Sequence, residues 1–304
     1  MSSCCLSLDE DMPDCPICGK KDIASFCFVK NGHSIFRCSD CCLMFVHPQP
    51  EKATIRSIYD AGYFERGKKY SESKSHTGKS ANSMNNRKRL TLVQEFRESG
   101  CLLDVGCAKG GFLQMAGQNG FEVTGVELSE NASSYARKEL GLRVLDREFI
   151  ESGLPSGHFD VVTMWDVFEH LPDPAGNLRE AHRVLCRDGI LLLSTGDVSS
   201  PWARLTGRRW PLMTPPQHLF FYSPNSLRVL LSRTGFSCGH LSRPGRWASM
   251  EFLLFKAHES FGMIVKPFQW LVRRIRMNNC SVYFKLGDVM TCVAGKQGQV
   301  NQDA

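Results

Sequence analysis

The sequence lacks any long uninterrupted apolar run. Its longest apolar region, 252–275, is interrupted by Lys256, His258, Glu259, Lys266 and Pro267. It therefore falls short of the roughly 20 consecutive apolar residues that a membrane-spanning helix needs. No apolar segment follows a basic start at the N-terminus, so we expect no signal peptide. These two absences predict a cytoplasmic protein without a transmembrane segment.

The sequence also lacks a disulfide framework, although it contains 14 cysteines. Six of them occur singly in apolar or strand-like surroundings, where a free cysteine behaves as a small hydrophobic residue: Cys101, Cys107, Cys186, Cys238, Cys280 and Cys292. Only the N-terminal cysteines show a regular spacing.

The overall composition is that of an ordinary soluble globular protein, with 42% hydrophobic and 22% charged residues. A chain of 304 residues can form one large core and a small accessory module. Its net charge of +6 is compatible with an acidic substrate or with peripheral contact to a membrane.

Two C-x2-C pairs predict a metal site near the N-terminus. Cys15 and Cys18 form the first pair, and Cys38 and Cys41 form the second. Four thiolates at this spacing are typical of closed, tetrahedral, structural zinc, which leaves no open position for catalysis. The alternative is four reduced cysteines in a core. Cys27 and Cys42 are available as substitute ligands.

The segment between the two pairs predicts a β-hairpin with its turn at Asn31 and Gly32. A zinc ribbon over residues 15–48 follows from this arrangement. Because the ribbon is not basic, we favour a structural or substrate-domain role over nucleic-acid binding.

The pattern of residues 102–112 predicts the end of a buried strand, followed by a glycine-rich turn and the start of a helix. Such a turn brings backbone N–H groups close to a ligand. A second apolar run ends at Glu127, whose carboxylate is placed to accept hydrogen bonds from ribose hydroxyls. Asp104 lies inside the turn, where its charge would repel a phosphate and suits a cationic cofactor.

These residues resemble the first motif, Asp-x-Gly-x-Gly-x-Gly, of the class I S-adenosylmethionine-dependent methyltransferases. The resemblance implies that S-adenosylmethionine is the cofactor. It also implies a set of cofactor-binding residues: Asp104, Gly106, Cys107, Ala108, Gly110, Phe112, Glu127, Leu128, Trp165 and Asp166. Ala108 departs from the motif, which most often has glycine there, and alanine disfavours a left-handed backbone.

The order of the N-terminal features resembles a bacterial subgroup of these methyltransferases that is associated with sugar and glycan pathways. The zinc knuckles are followed by an extended segment over residues 43–50, which ends in Pro48-Gln-Pro50, and by an aromatic element containing Tyr59 and Tyr63. The resemblance implies that both tyrosines could contact the cofactor or the substrate. Aromatic residues at helical spacing are, however, more often part of a core.

Strands and helices alternate from residue 101 onward, which predicts a mostly parallel sheet covered on both faces. The predicted fold class is α/β: a Rossmann-like, seven-stranded, mostly parallel sheet with an N-terminal zinc ribbon. We predict a disordered tail (1–14), the ribbon (15–48), a linker with a basic loop and a capping helix (49–100), the methyltransferase domain (101–296) and a second tail (297–304). Residues 66–89 are expected to form a solvated loop or a lid over the cofactor, followed by a helix with Leu90, Val93 and Phe96 on its apolar face.

Four polar residues that follow the fourth and fifth strands are the candidate catalytic groups: Asp166, Glu169, His170 and His218. We favour His170 or His218 as a general base that removes a proton from an acceptor hydroxyl. A divalent metal ion is the alternative, because the pattern resembles the Glu-x-x-Glu-His site of metal-dependent small-RNA methyltransferases. A third interpretation is that Glu169 and His170 only orient the following helix and that His218 is a core residue.

Two further segments concern the acceptor. Residues 194–216 carry arginines and the tryptophans Trp202 and Trp210, which suit phosphate and sugar groups. Residues 247–280 form a predicted helical insertion, which we expect to cap the acceptor pocket and which could instead lie on a membrane surface.

The predicted function is methyl transfer to an oxygen of a sugar, a glycan or a small metabolite. One alternative is RNA methylation with contact through the ribbon, although an Asn-Pro-Pro-Tyr motif is missing. The others are carbon methylation of a nucleotide sugar and a non-catalytic cofactor-binding protein.

Overall fold

The computed structural model describes residues 12–51, 53–55, 80–274 and 280–298. Tyr59, Tyr63, the greater part of the basic loop 66–89 and the ends of both predicted tails lie outside these ranges. The predictions made for them stay predictions.

A seven-stranded sheet forms the centre of the molecule. Its strands are β4 (Gly100–Val105), β5 (Phe121–Val126), β6 (Val144–Leu145), β7 (Phe159–Trp165), β8 (Leu185–Gly196), β10 (Phe236–Ser242) and β13 (Val289–Lys296). Their spatial order is β10-β13-β8-β7-β4-β5-β6. Only β13 runs against the other strands of this sheet, because it pairs in antiparallel fashion with both β8 and β10. The predicted seven-stranded, mostly parallel sheet is confirmed.

Eight α-helices are described. They are α1 (Ala81–Gln94), α2 (Gly111–Gln118), α3 (Glu130–Leu140), α4 (Pro174–Val184), α5 (Pro201–Thr206), α6 (Pro224–Arg233), α7 (Met250–Phe261) and α8 (Lys266–Arg274). Side chains of the central strands are buried on both faces of the sheet, for example Leu102 and Leu103 of β4. Strands covered in this way read as continuous apolar runs, which explains why they were recognisable in the sequence.

The N-terminal ribbon forms a second, four-stranded sheet. Strands β1 (Ala24–Lys30) and β2 (His33–Cys38) make the expected hairpin around Asn31 and Gly32. The segment expected to leave the ribbon as an extended chain supplies a third strand, β3 (Met44–Val46). The fourth, β9 (Phe220–Phe221), comes from the C-terminal half of the chain. The ribbon therefore shares its sheet with the large domain.

Two local expectations were wrong. Residues 81–89, assigned to a solvated loop, form the first turns of α1, because Ser80 caps the helix by accepting a hydrogen bond from the Ser83 N–H group. Phe96 lies beyond the end of α1 and is exposed. Outside the main sheet, strand β12 (Ser281–Phe284) pairs in antiparallel fashion with β11 (Arg246–Ser249).

Within the described ranges, no helix combines the length and the apolar character needed to traverse a lipid bilayer.

Candidate functional site

The glycine-rich turn connects β4 to α2 at the carboxyl edge of the sheet. Gly106 and Gly110 both have positive φ angles, of 73° and 78°. A Cβ atom at Gly106 would lie 2.5 Å from a methyl carbon of Val167, and a Cβ atom at Gly110 would lie 2.5 Å from a methyl carbon of Leu142. The turn can therefore pass this close to its neighbours only with glycine at both positions.

Ala108 adopts the left-handed conformation that alanine disfavours, with a φ angle of 49°. This conformation costs a non-glycine residue about 1–2 kcal/mol. The Ala108 N–H group donates a hydrogen bond to Oε2 of Glu127 at 2.9 Å, which offsets part of the cost. The turn thus keeps the shape of the glycine-containing motif despite the substitution.

Glu127 links the turn to the next strand. It directly follows β5, and its Oε1 accepts a hydrogen bond of 2.8 Å from the Ser129 N–H group. Burial raises the pKa of Glu127, and the hydrogen bonds from the Ser129 and Ala108 N–H groups oppose that rise. A carboxylate has about four acceptor positions. The two oxygens can therefore accept ribose hydroxyls as well as these amides.

Replacing Glu127 by glutamine should weaken cofactor binding by about 10–100-fold, because charge-assisted hydrogen bonds contribute about 1.5–3 kcal/mol. Isothermal titration calorimetry with S-adenosylhomocysteine measures this change. Glu122→Gln is the matched control, since Glu122 is exposed on the same strand, β5. Equal affinities for the wild type and Glu127→Gln would contradict the ribose assignment.

Asp104 is buried at the end of β4, with 3% of its surface exposed. Its Oδ1 accepts a hydrogen bond of 2.6 Å from the Thr163 hydroxyl. Burial raises the pKa of Asp104 to about 7, and the hydrogen bond from Thr163 and the charge of Arg89 limit that rise. The carboxyl group therefore changes its charge near neutral pH.

This raised pKa predicts a pH-dependent preference for the positively charged cofactor. As the pH increases from 6 to 8, Asp104 ionises and attracts a sulfonium group, so the affinity for S-adenosylmethionine should increase relative to that for S-adenosylhomocysteine. We expect a change of about tenfold in the ratio of the two Kd values, which corresponds to about 1.4 kcal/mol. Asp104→Asn should make the ratio independent of pH. A pH-dependent ratio in that variant would assign the effect to another group.

An aromatic and charged cluster lies next to the turn. Phe112 of α2 contacts Trp165 of β7 edge to face, with ring centroids 5.7 Å apart. The guanidinium of Arg89 lies over the Trp165 ring at 5.3 Å and forms an ion pair with Asp166. The indole N–H group of Trp165 is buried and has no hydrogen-bond partner among the described residues. These residues can therefore cover one side of a bound cofactor and offer it a donor.

The remaining predicted cofactor residues lie around the same turn. Cys107 is buried, and its pKa is raised well above the usual value by burial and then by the charges of Asp104 and Glu127. Leu128 is partly exposed between Glu127 and α3. The Cys107 side chain is therefore packed inside the protein, whereas Leu128 can contact a ligand. Both cofactor assignments stay predictions.

Asp166 is exposed at the end of β7. Its Oδ1 accepts a hydrogen bond of 2.8 Å from the Ser194 hydroxyl at the end of β8. Partial desolvation raises its pKa, but the charges of Arg89 and Arg246 outweigh this effect and lower it. Asp166 is therefore ionised and paired with Arg89. Its predicted catalytic and cofactor-binding roles stay predictions.

Glu169, His170 and His218 come together in one cluster. One ligand-type atom from each lies within 4.8 Å of the others. The rings of His170 and His218 meet edge to face, with centroids 4.6 Å apart, and Nδ1 of His170 lies 2.7 Å from the Gln217 carbonyl oxygen. Oε2 of Glu169 is buried without a hydrogen-bond partner among the described residues. Three of the four residues named as catalytic candidates from the sequence therefore lie together in the structure.

Burial sets the protonation of this cluster. It raises the pKa of Glu169 to about 8, with the Asp166 charge adding to the effect. Burial lowers the pKa of His170, although hydrogen bonds to the carbonyls of Gln217 and Asp166 oppose that shift. Burial, and then the charge of His170, lower the pKa of His218 well below its ordinary value. Near pH 7 the cluster therefore holds a protonated carboxyl and two neutral imidazoles.

Comparison with known families decides the classification. A family profile described as a methyltransferase domain matches residues 80–241, just over half of the 304-residue chain. The chain belongs to this methyltransferase family. The resemblance to class I S-adenosylmethionine-dependent enzymes is thereby confirmed, whereas membership of a sugar or glycan subgroup stays a prediction.

The methyltransferase is similar to curated proteins named ubiquinone biosynthesis O-methyltransferase. The protein of Pseudomonas paraeruginosa is 37% identical over 100 residues, which cover 31% of this chain and 43% of that protein. The protein of Haemophilus ducreyi is 33% identical over 104 residues, covering 31% and 44%. The chain thus spans less than half the length of these relatives.

Solved structures share the fold of the methyltransferase. An S-adenosylmethionine-dependent methyltransferase from Archaeoglobus fulgidus aligns with a TM-score of 0.52 at 17% identity, covering 77% of this chain and 99% of that one. The Burkholderia thailandensis 1,6-didemethyltoxoflavin-N1-methyltransferase, solved with bound 1,6-didemethyltoxoflavin and S-adenosylhomocysteine, aligns with a TM-score of 0.51 at 15% identity. The alignment covers 90% of this chain and 99% of that one.

The four N-terminal cysteines of the methyltransferase form a buried cluster. Sγ of Cys15 lies 3.6 Å from Sγ of Cys41, and Sγ of Cys18 lies 3.7 Å from Sγ of Cys38. Zn–S bonds of about 2.3 Å in a tetrahedron require sulfur atoms roughly 3.8 Å apart. The chain's own geometry therefore fits zinc.

The ribbon contacts the segment that carries His218 of the cluster. The Leu219 N–H group donates to the Glu169 carbonyl at 2.9 Å, and the Leu219 carbonyl accepts from the Val46 N–H group of β3 at 2.9 Å. His218 immediately precedes this doubly bonded residue. The ribbon strand therefore fixes the position of His218 relative to Glu169.

One sequence-based assignment is not supported by the geometry, and two site residues were missed. Trp210, expected to stack on a sugar, is buried and donates a hydrogen bond of 3.0 Å to Asp288. Arg89 and Arg246, whose charges act on Asp166, were not predicted. The Ser80 cap before a helical pattern could have placed Arg89 on a helix, whereas no local signal marks Arg246.

Proposed function

We propose that this methyltransferase transfers the methyl group of S-adenosylmethionine to a hydroxyl oxygen of a small organic acceptor. The observation that carries the proposal is the Glu169, His170 and His218 cluster, which lies at the carboxyl ends of the strands beside the cofactor turn. Two neutral imidazoles there can accept a proton, which an attacking hydroxyl must lose. The names of the curated relatives support oxygen as the acceptor atom.

We assign His170 as the general base. The carbonyls of Gln217 and Asp166 and the Asp166 carboxylate all favour a proton on its ring, whereas burial and the neighbouring His170 disfavour one on His218. When the acceptor oxygen attacks the methyl carbon, the C–S bond breaks, S-adenosylhomocysteine leaves and the hydroxyl proton passes to His170. The cofactor turn aligns the donor for an in-line displacement.

A competition experiment tests the acceptor class. The purified protein is incubated with S-adenosylmethionine carrying a labelled methyl group and with three pools: phenolic metabolites, sugars and glycans, and cellular RNA. We expect the label in an O-methyl ether of a phenol or a sugar, identified by mass spectrometry. Label in RNA or on carbon would overturn the proposal, as would cofactor binding without transfer to any pool.

The same cluster supports a second candidate mechanism with a divalent metal ion. Two imidazoles and a buried carboxylate oxygen without a partner among the described residues form a suitable donor set. Such an ion would lower the pKa of the acceptor hydroxyl. Dialysis against EDTA, with the zinc content of the ribbon measured before and after, and addition of Mg²⁺ or Mn²⁺ distinguish the mechanisms. Unchanged turnover supports the base, whereas loss of turnover with the ribbon zinc retained, and recovery with Mg²⁺ or Mn²⁺, supports the catalytic metal.

We also propose structural zinc in the ribbon, held by Cys15, Cys18, Cys38 and Cys41. The buried sulfur cluster with its tetrahedral spacing supports this proposal. Metal analysis by inductively coupled plasma mass spectrometry should find one zinc ion per chain. A Cys18→Ser variant that retains the full zinc content would contradict the assignment.

A further inference from the structure

The insertion after β11 contains an apolar surface that faces away from the protein. We call it the insertion face and define it by Met263, Phe268, Trp270 and Leu271, which are 69%, 63%, 65% and 48% exposed. Isolated exposed apolar residues are common on proteins. Four large ones within nine consecutive residues form a patch of the kind that marks an interaction site.

The orientation of α8 creates this face. The side chain of Gln269 points inward and donates a hydrogen bond of 3.2 Å to the Leu254 carbonyl of α7. Residues follow each other at about 100° around a helix, so Leu271 points almost directly outward while Phe268 and Trp270 lie on the two flanks. A polar residue is thus used for packing and the apolar residues are directed to solvent, which reverses the usual arrangement of a surface helix.

The charges within the segment 262–274 all have one sign. Lys266 and Arg274 are exposed at the two ends of α8, and residues 262–274 contain no aspartate or glutamate. A second copy of the chain would meet this face with the same cations and without a carboxylate from this segment to pair with them. A symmetric dimer through this face is therefore electrostatically unfavourable.

We infer that the insertion face docks the protein on the surface of an anionic lipid bilayer. Tryptophan is favoured at the boundary between lipid and water, and phenylalanine, leucine and methionine side chains gain from burial in the acyl region. Basic residues at the rim are attracted by acidic lipid headgroups. The chemistry and the placement of these residues match a peripheral contact in which α8 lies parallel to the membrane.

This docking would bring the catalytic cluster close to the lipid surface. Strand β11, which leads into the insertion, carries Arg246, whose charge acts on Asp166 and Glu169. Helix α7 of the insertion carries Lys256, whose charge acts on His218. An acceptor with a lipophilic portion could thus enter from the bilayer. The docking itself does not depend on the proposed reaction, because it can be measured without cofactor or acceptor.

Vesicle co-sedimentation of the full-length protein tests the inference. We expect binding to vesicles of phosphatidylcholine with 30% phosphatidylglycerol, weakening at high salt because the charges are then screened. Absence of binding to these vesicles, or equal binding to pure phosphatidylcholine, would overturn the inference.

Two pairs of variants sharpen the test. Phe268→Ser with Leu271→Ser should lower the partition coefficient at least about tenfold, because each apolar side chain loses its transfer free energy. The matched control is Phe26→Ser with Leu205→Ser, two residues of the same types that are 57% and 79% exposed elsewhere. Lys266→Ala with Arg274→Ala should reduce binding roughly fivefold for each cation removed.

The alternative occupant of the face is a second copy of the chain. Light scattering coupled to size-exclusion chromatography should show that the oligomeric state of Phe268→Ser with Leu271→Ser equals that of the wild type. A dimer that dissociates only in this variant would refute membrane docking, as would equal loss of vesicle binding in the control pair. Unchanged thermal melting of every variant confirms that folding is intact.

Discussion

Replacing Cys41 by alanine should lower the Tm by about 5–10 °C and also reduce methyl transfer at saturating cofactor at least about tenfold. Loss of a structural zinc ligand removes binding free energy that stabilises the fold, and about 3 kcal/mol corresponds to a shift of this size in a domain of 150–250 residues or more. The loss of activity follows from the contact of the ribbon with Leu219, next to His218. Differential scanning calorimetry and a turnover assay measure the two effects.

Cys27→Ala is the control for this prediction. Cys27 lies on strand β1 of the same ribbon but is exposed and outside the cluster of four thiols. It should leave the Tm, the zinc content and the turnover unchanged. A Cys41→Ala variant that loses zinc yet keeps full activity would show that the ribbon does not position His218.

Replacing His170 by alanine should reduce kcat by about 10²–10⁴-fold, the usual contribution of a general base, while the Kd of the cofactor stays the same. His218→Ala should reduce kcat less, because that ring supports His170 and does not take the proton. His158→Ala, which removes an exposed histidine, is the control. The measurement is steady-state kinetics combined with calorimetric titration of S-adenosylhomocysteine.

The pH dependence separates a catalytic role from a structural one. Burial lowers the pKa of His170 below its ordinary value of about 6.5. At saturating S-adenosylmethionine, which removes the effect of Asp104 on cofactor affinity, the wild-type kcat should therefore decrease at acidic pH as the ring becomes protonated. This acidic decrease should disappear in His170→Ala and persist in His218→Ala. A His170→Ala enzyme with wild-type kcat and an unchanged pH profile would exclude the base.

Much of the large domain was predictable because its strands are buried on both faces. Apolar runs such as those of β4 and β7 leave a strong signal, and the glycine-rich turn between β4 and α2 is encoded by local backbone requirements. Strand β6 was only weakly marked, since it has two residues and its apolar character is correspondingly short. The cluster of Glu169, His170 and His218 followed from the rule that polar residues after parallel strands meet at one edge.

Features that depend on distant contacts were not predictable. Trp210 resembles a sugar-binding residue in its local sequence, and only its hydrogen bond to Asp288 reveals that it belongs to the core. Likewise, the short strand β9 pairs with β3, which in turn pairs with β2, and neither β3 nor β9 has a hydrophobic pattern long enough to be recognised alone. Arg89 lies in a basic stretch of sequence that is typical of a loop, although in the structure it belongs to helix α1.

The pairing of β3 with β9 has a consequence for how the protein can be divided. The family match begins at residue 80, after β3, yet Phe220 of β9 is buried opposite Phe45 of that strand. A fragment starting at residue 80 would lack β3, so the backbone groups of β9 that pair with it would lose their partners. Phe220 would become exposed, and the unpaired strand would favour aggregation. The boundary of the family in sequence is therefore not a boundary of independent folding, and the ribbon cannot be exchanged like a separate module.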